Sequence, residues 1–355
     1  MKRGCRGVTL VELMVSLALV SVLLGLVVSM TDATRGAWSS SVSRIEQFRA
    51  ARLGFDVLTR RLAEATLNPY WDYERDGQGN PVRYTRQSEL RFLSGPGVLP
   101  RESGIASPSS GGHSVFFQAP LGFSGQSANA SLKHLLNTWG YYVEFGDDSL
   151  QRPAFIDQQV APLRRRYRLM ELCEAAERLS IYRYTSGKDA NGVARTLGYT
   201  GRQWLSDPLT DAAVSKRVVA ENVVALVLLP RFAEGDKRVD GRVLGAEELA
   251  PGYLYDSSQS GSDPELNSKN QLPPVVQVTL VAVDEPSYAR FQQGSAMPDL
   301  AAGSRVNGAE LFADARGMGA DLDRFQEGLA RQKLNFRVFT SSVSLKAAKW
   351  SRAQR

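Results

Sequence analysis

Apolar positions crowd the start of the chain. From Val8 to Met30 the only ionisable side chain is Glu12, and the next charge is Asp32. At about 1.5 Å per helical residue this run is long enough to cross a hydrocarbon core of about 30 Å. From Thr31 to about Leu67 the pattern stays helical but becomes two-sided. Ile45, Phe48, Phe55, Leu58 and Leu62 recur at helical spacing, with Ala51 in the gap. Arg44, Glu46, Arg49, Arg52, Arg60, Arg61 and Glu64 take the other sides, and Arg60 and Glu64 form an i,i+4 pair. Asn68-Pro69 predicts the end of this helix, because the residue before proline avoids the α region. Gly36 and Gly54 are interior weak points of about 1 kcal/mol each.

Beyond Pro69 the periodicity shortens to that of strands. The predicted strands are Glu89–Leu93, Ser114–Ala119, Tyr141–Phe145, Tyr167–Leu172, Leu179–Tyr184, Val223–Leu229, Val275–Val283 and Asn335–Leu345. Val276, Val278, Leu280 and Ala282 alternate with Gln277 and Thr279, as on a half-buried strand. Val223–Leu229 is apolar throughout, which predicts a central strand covered on both faces. Two helices are predicted, at Thr210–Ala220 and at Ala320–Gln332 with Leu322, Phe325 and Leu329 inward. Long polar loops fall at 99–113, 256–272 and 294–308.

Composition adds two points. The formal charge of +6 owes three units to Lys2, Arg3 and Arg6, so the remainder carries +3 and a nucleic-acid partner is not expected. Those three cations precede the apolar run and orient it with its start on the cytoplasmic side. Of the two cysteines, Cys5 precedes the apolar run and Cys173 follows it, so the part beyond the run can form no internal disulfide.

Glu12 is the oddity of the run. An ionised carboxylate inside a spanning helix costs about 2.5–3.5 kcal/mol unless something neutralises it. Gly7-Val8-Thr9-Leu10-Val11-Glu12 followed by the apolar run resembles the class III leader of type IV prepilins and pseudopilins. The resemblance implies cleavage after Gly7 by a prepilin peptidase and N-methylation of Val8. It also makes Glu12 the fifth-position acid that pairs with the amine of a neighbouring subunit. Val8 stands where that family usually has phenylalanine. Further on, Glu221–Leu226 and Leu272–Leu280 are similar to J-type minor pseudopilins of type II secretion. Leu229-Pro230-Arg231 and the ending Phe336–Thr340 through Ala348-Lys349-Trp350 resemble the pilin-like C protein of the Verru/Chthon cassette more closely.

Candidate chemistry elsewhere is sparse. Asp72, Glu74 and Asp76 alternate ahead of Gly77, like the start of a calcium loop, but Arg75 intrudes and Asp-Gly and Asn-Pro are turn residues in their own right. His113 lies among Ser109, Ser110 and Ser114 without an evident orienting acid, and His134 lies in an apolar stretch and is expected to be partly buried. Cys173 between Glu171 and Glu174 reads as a small buried residue rather than a metal corner. Arg164-Arg165-Arg166 reads as the solvated start of a strand.

The expected fold is α+β and pilin-like: a long N-terminal helix on an antiparallel β head. Its expected divisions are a leader (1–7), an assembly and membrane helix (8–30), an amphipathic helix (31–67) and a β-rich head (68–355). The expected function is that of a minor pilin-like structural subunit rather than an enzyme. It needs no cofactor unless the head takes calcium. It is anchored in the inner membrane with a periplasmic head, and its partners are prepilin peptidase and other pilin or pseudopilin subunits. The alternative is an anchored periplasmic binding module that never polymerises.

Overall fold

A computed structural model describes residues 10–149, 152–153, 155–156, 163–185, 201–261, 263–292, 294, 296–305 and 309–351. The first element is helix α1 (Leu10–Ala63), followed by strands β1 (Tyr70–Arg75), β2 (Pro81–Gln87), β3 (Leu93–Gly95), β4 (Ser114–Ala119), β5 (Asn137–Asp147) and β6 (Arg165–Glu174). Helices α2 (Ser180–Thr185) and α3 (Gln203–Thr210) precede β7 (Ser215–Glu221), β8 (Val223–Arg231) and β9 (Tyr255–Asp256). Then come β10 (Val275–Val283), helices α4 (Glu285–Phe291) and α5 (Met318–Arg331), and β11 (Phe336–Ser344). Residues 1–47 and 48–355 form two compact units.

Within the second unit, a six-stranded sheet runs β7-β6-β5-β4-β3-β9 and a three-stranded sheet runs β11-β10-β8. All pairings are antiparallel. The expected α+β class, a long N-terminal helix followed by antiparallel sheets, is what the chain adopts. Strand β8 packs on β3, β4, β5 and β6, so the core lies between the two sheets. The C-terminal part of α1 presses on that core through Ala51, Phe55, Leu58 and Leu62, all buried, as the helical spacing predicts. Phe55 meets Phe339 of β11 with ring centroids 6.0 Å apart.

Several expectations are corrected. Helix α1 stops at Ala63, before Asn68-Pro69, because its end is captured: Lys346 N donates to Ala63 O at 3.0 Å and Thr66 N donates to Gln118 O at 2.8 Å. Glu64 pairs with Lys346 rather than with Arg60. Leu179–Tyr184, read as a strand, falls largely in α2, and Glu174 Oε1 takes Ser180 N at 3.0 Å at its start. Thr210–Ala220, read as a helix, is the end of α3 and then strand β7. Glu89–Leu93 runs beside the sheet but joins it only at Leu93, since side chains take its amides: Gln118 accepts from Arg91 N at 2.9 Å and Ser257 from Phe92 N at 2.8 Å. Strand β8 is buried from Val223 to Pro230, yet it lies at the edge of its sheet rather than at the centre.

The free edge of β8 is covered by a loop. His113 N donates to Leu226 O at 3.0 Å, and Leu226 N donates to Gly111 O at 2.7 Å. Gly111 is required there: its φ is +74°, and a Cβ would stand 2.9 Å from the Cβ of Ala225.

Candidate functional site

The N-terminal stretch is built to live in an apolar medium. Leu10–Asp32 is a 23-residue helical span of mean hydropathy 2.6, none of it buried against the rest of the protein. At about 1.5 Å per residue it is about 35 Å long, enough to cross a bilayer core. Its hydroxyls are satisfied within the helix. Ser16 Oγ donates to Glu12 O at 2.8 Å, Ser21 to Ala18 O at 2.8 Å, Ser29 to Leu26 O at 2.9 Å and Thr31 to Val27 O at 2.7 Å. These polar side chains therefore offer the lipid no bare donors. Glu12 lies within the described helix. Gly7 and Val8 fall outside the described residues.

The calcium-like segment is a hairpin. Strands β1 and β2 pair from Tyr70↔Gln87 to Arg75↔Pro81. Asp76 caps the turn, with Oδ1 accepting from Gln78 N at 2.9 Å and Asn80 N at 2.8 Å. Backbone donation holds its carboxyl below the ordinary range, the Asn80 amide contributing most. Asp72 accepts from Tyr73 N at 2.7 Å, and the Glu74 side chain lies outside the described set. Asp76 thus behaves as a turn residue, and no group of three or more His, Cys, Asp or Glu that could hold a metal ion occurs among the described residues.

The two histidines part company. His134 is exposed, against expectation, because the Leu132–Leu136 stretch lies in a surface loop. His113 is 1% exposed, and its Nδ1 accepts from Leu228 N at 3.1 Å, continuing the cover over the β8 edge. Its ring packs edge-on to Tyr253, centroids 5.0 Å apart. Burial pushes its pKa down to about 4, outweighing its bond to Leu228. A neutral imidazole locked into a sheet edge is a structural part.

Cys173 is buried, and desolvation pushes its thiol up to about 12, with Glu171 adding to the shift. Its two acidic neighbours point to opposite sides of β6 (a strand alternates its side chains) and have other engagements. Glu174 binds Ser180, whereas Glu171 is held by Tyr141 Oη at 2.6 Å, Arg217 Nε at 2.6 Å and the guanidinium of Arg61. Arg61 also lies over the Trp139 ring, 4.0 Å from its centroid. The sequence reading assigned Arg61 to an outer side of the helix. It stands three after Leu58 and next to Leu62, both fully buried, so its helical position gave the signal. Arg166 likewise pairs with Glu285 and lies over Tyr288, while Arg164 and Arg165 face Asp148 and Asp147. Arg164 and Arg165 thus keep the solvated character expected at the start of β6, their side chains 58% and 42% exposed, and only Arg166 is drawn into a half-buried pair.

Residues 2–28 match the family model described as "Prokaryotic N-terminal methylation motif". A comparison with curated proteins finds no match. Among solved structures the chain is similar to a type IV-like pilin from Thermus thermophilus, at 11% identity and a TM-score of 0.27, covering 85% of this chain and 97% of that one. The chain thus carries a prokaryotic N-terminal methylation motif at the head of a long apolar helix, followed by antiparallel sheets.

Proposed function

We propose that this chain is a minor pilin-like, pseudopilin-type structural subunit. It is cut after Gly7 by prepilin peptidase, N-methylated on Val8, and assembled through its N-terminal helix into a type II secretion or type IV pilus-like filament or its tip. The observation that carries this reading is the methylation motif over residues 2–28, a stretch that includes Glu12 within an otherwise apolar, exposed span. Removal of the leader frees an amine at Val8, four residues before Glu12. In a bundle of such helices, the amine of one subunit neutralises the carboxylate of the next and sets the stagger between them. The head then offers a partner-specific surface, with its base in the inner membrane and its fold in the periplasm. Its role is packing rather than catalysis and calls for no cofactor.

Mass spectrometry of the N-terminus of the cellular protein tests the processing. Methylated Val8 is the expected species; an intact Met1 overturns the proposal and leaves an unpolymerised membrane-anchored module. Glu12→Ala tests assembly separately. The variant should still insert and be cleaved, yet be lost from sheared filament fractions, and undiminished incorporation would contradict the proposed pairing.

A further inference from the structure

Just past the apolar span, α1 carries Arg35 and Trp38, both exposed, Trp38 at 73%. A Trp left that open on a helix is unusual for water but suits the boundary between lipid and water, where one edge is apolar and the N–H is wet. Position along the helix selects that boundary. Met30 is the last apolar residue of the run, and Trp38 Cα lies eight residues beyond it, about 12 Å along the axis. Helical side chains lean toward the N-terminus and cover the preceding turn. The indole therefore sits about 5 Å nearer the membrane than its own Cα, roughly 7 Å beyond the level of Met30. The headgroup layer on each side of a bilayer is about 5–7 Å thick.

Arg35 is three residues before Trp38 on the same side of the helix, and its longer side chain leans the same way. Among the described side chains, the hydroxyls of Thr31 and Thr34 are taken up within the helix, bonding back to Val27 O and Met30 O, each at 2.7 Å.

We infer that Trp38 and Arg35 together form a headgroup anchor, with the indole in the phospholipid interface and the guanidinium on lipid phosphate, fixing how far the helix is drawn into the bilayer. This rests on the reading of Leu10–Asp32 as a membrane span, and the test separates the two. The full chain is reconstituted into vesicles of phosphatidylcholine and phosphatidylglycerol, floated on a density gradient, and its tryptophan emission quenched by lipids bearing a nitroxide on the headgroup or mid-chain. The headgroup nitroxide should remove an emission component that is missing from Trp38→Ala, and the mid-chain nitroxide should remove less of it. Arg35→Gln should reduce that headgroup quenching. Flotation with equal headgroup quenching in wild type and Trp38→Ala overturns the anchor and leaves the span intact, as would happen if Trp38 faced another protein helix. An Arg35→Gln chain quenched like wild type removes Arg35 from it. Failure to float overturns both the span and the anchor.

Discussion

Glu171 shows how a charge survives in the middle of this head. It is 1% exposed, yet each carboxylate oxygen is met, Oε1 by Arg217 and Oε2 by Tyr141 and Arg61. Removing one partner of such a group leaves an under-compensated buried charge, a loss of about 3–5 kcal/mol. Arg61→Met should therefore lower the denaturant midpoint sharply, whereas Arg61→Met combined with Glu171→Met should recover part of the loss. A double mutant no better than the single one would mean that Arg61 acts through its stacking on Trp139 instead. His113 gives a pH signature. Its folded pKa of about 4 lies below the ordinary imidazole value of 6.5, so the unfolded chain takes up a proton first as the pH falls. Stability from the neutral imidazole is complete above about pH 6.5, declines between 6.5 and 4, and levels off below, a span of about 3 kcal/mol. Glu144 and Glu174, both held above the usual carboxylate range chiefly by burial, work in the opposite sense. The difference from His113→Asn isolates the effect, because asparagine keeps an acceptor near Nδ1 without titrating. Urea titrations of the detergent-solubilised chain at pH 7 and pH 4.5 should find the wild type losing more stability than His113→Asn.

Gly54 changes meaning at the level of elements. In the sequence it is a weak point in a helix; in the fold it lets α1 lie close to the six-stranded sheet. A Cβ there would stand 3.1 Å from Val219 Cγ1 and 3.3 Å from Ala220 Cβ. Gly54→Leu should lower stability by about 1–3 kcal/mol through overpacking. Gly54→Ala, which gains about 1 kcal/mol of helix propensity against a tight contact, should be close to neutral. Thermal melts of both variants check this, and a tolerated leucine would mean the helix can lift from the sheet. The same contact explains a misreading. Between Leu169↔Ala220 and Met170↔Val218 the β7 register shifts, so Val219 is an extra residue and the alternation is broken. A bulged strand imitates helical spacing, which is why Thr210–Ala220 reads as a helix. Pro208, inside α3, argues against the helix that is there. By contrast Ser114–Ala119 and Val275–Val283 are legible to the residue, since both are regular and pair in unbroken register along one flank. The β1–β2 hairpin escaped notice because aromatic and charged residues alternate in it and no apolar stripe marks it. Trp71 and Tyr84 stack at 5.6 Å, with Tyr73 edge-on to Tyr84 at 5.2 Å and Arg86 over Trp71 at 5.3 Å. That ladder is what holds a two-stranded sheet that joins no other.

For the molecule as a whole, α1 carries two patterns, an exposed apolar span over Leu10–Asp32 and a last part whose apolar side chains are buried. Residues 48–355 form one compact unit, which takes the last part of α1 into its core. Phe55, Leu58 and Leu62 are each buried there, and a large side chain so placed contributes about 1.5–3 kcal/mol. Their sum is about 5 kcal/mol or more, comparable with the whole stability of a domain, about 5–15 kcal/mol. Glu171 would also lose Arg61 with them. A chain beginning at Phe48 should therefore be soluble and melt cooperatively. A chain beginning at Glu64, which keeps every strand, should expose the strip of sheet that Ala51, Phe55, Leu58 and Leu62 cover, and aggregate. Gel filtration and near-ultraviolet circular dichroism of the two truncations distinguish the outcomes. If the shorter chain were monomeric with native near-ultraviolet signal, the β-sheets would suffice for the head and α1 would be only its stalk.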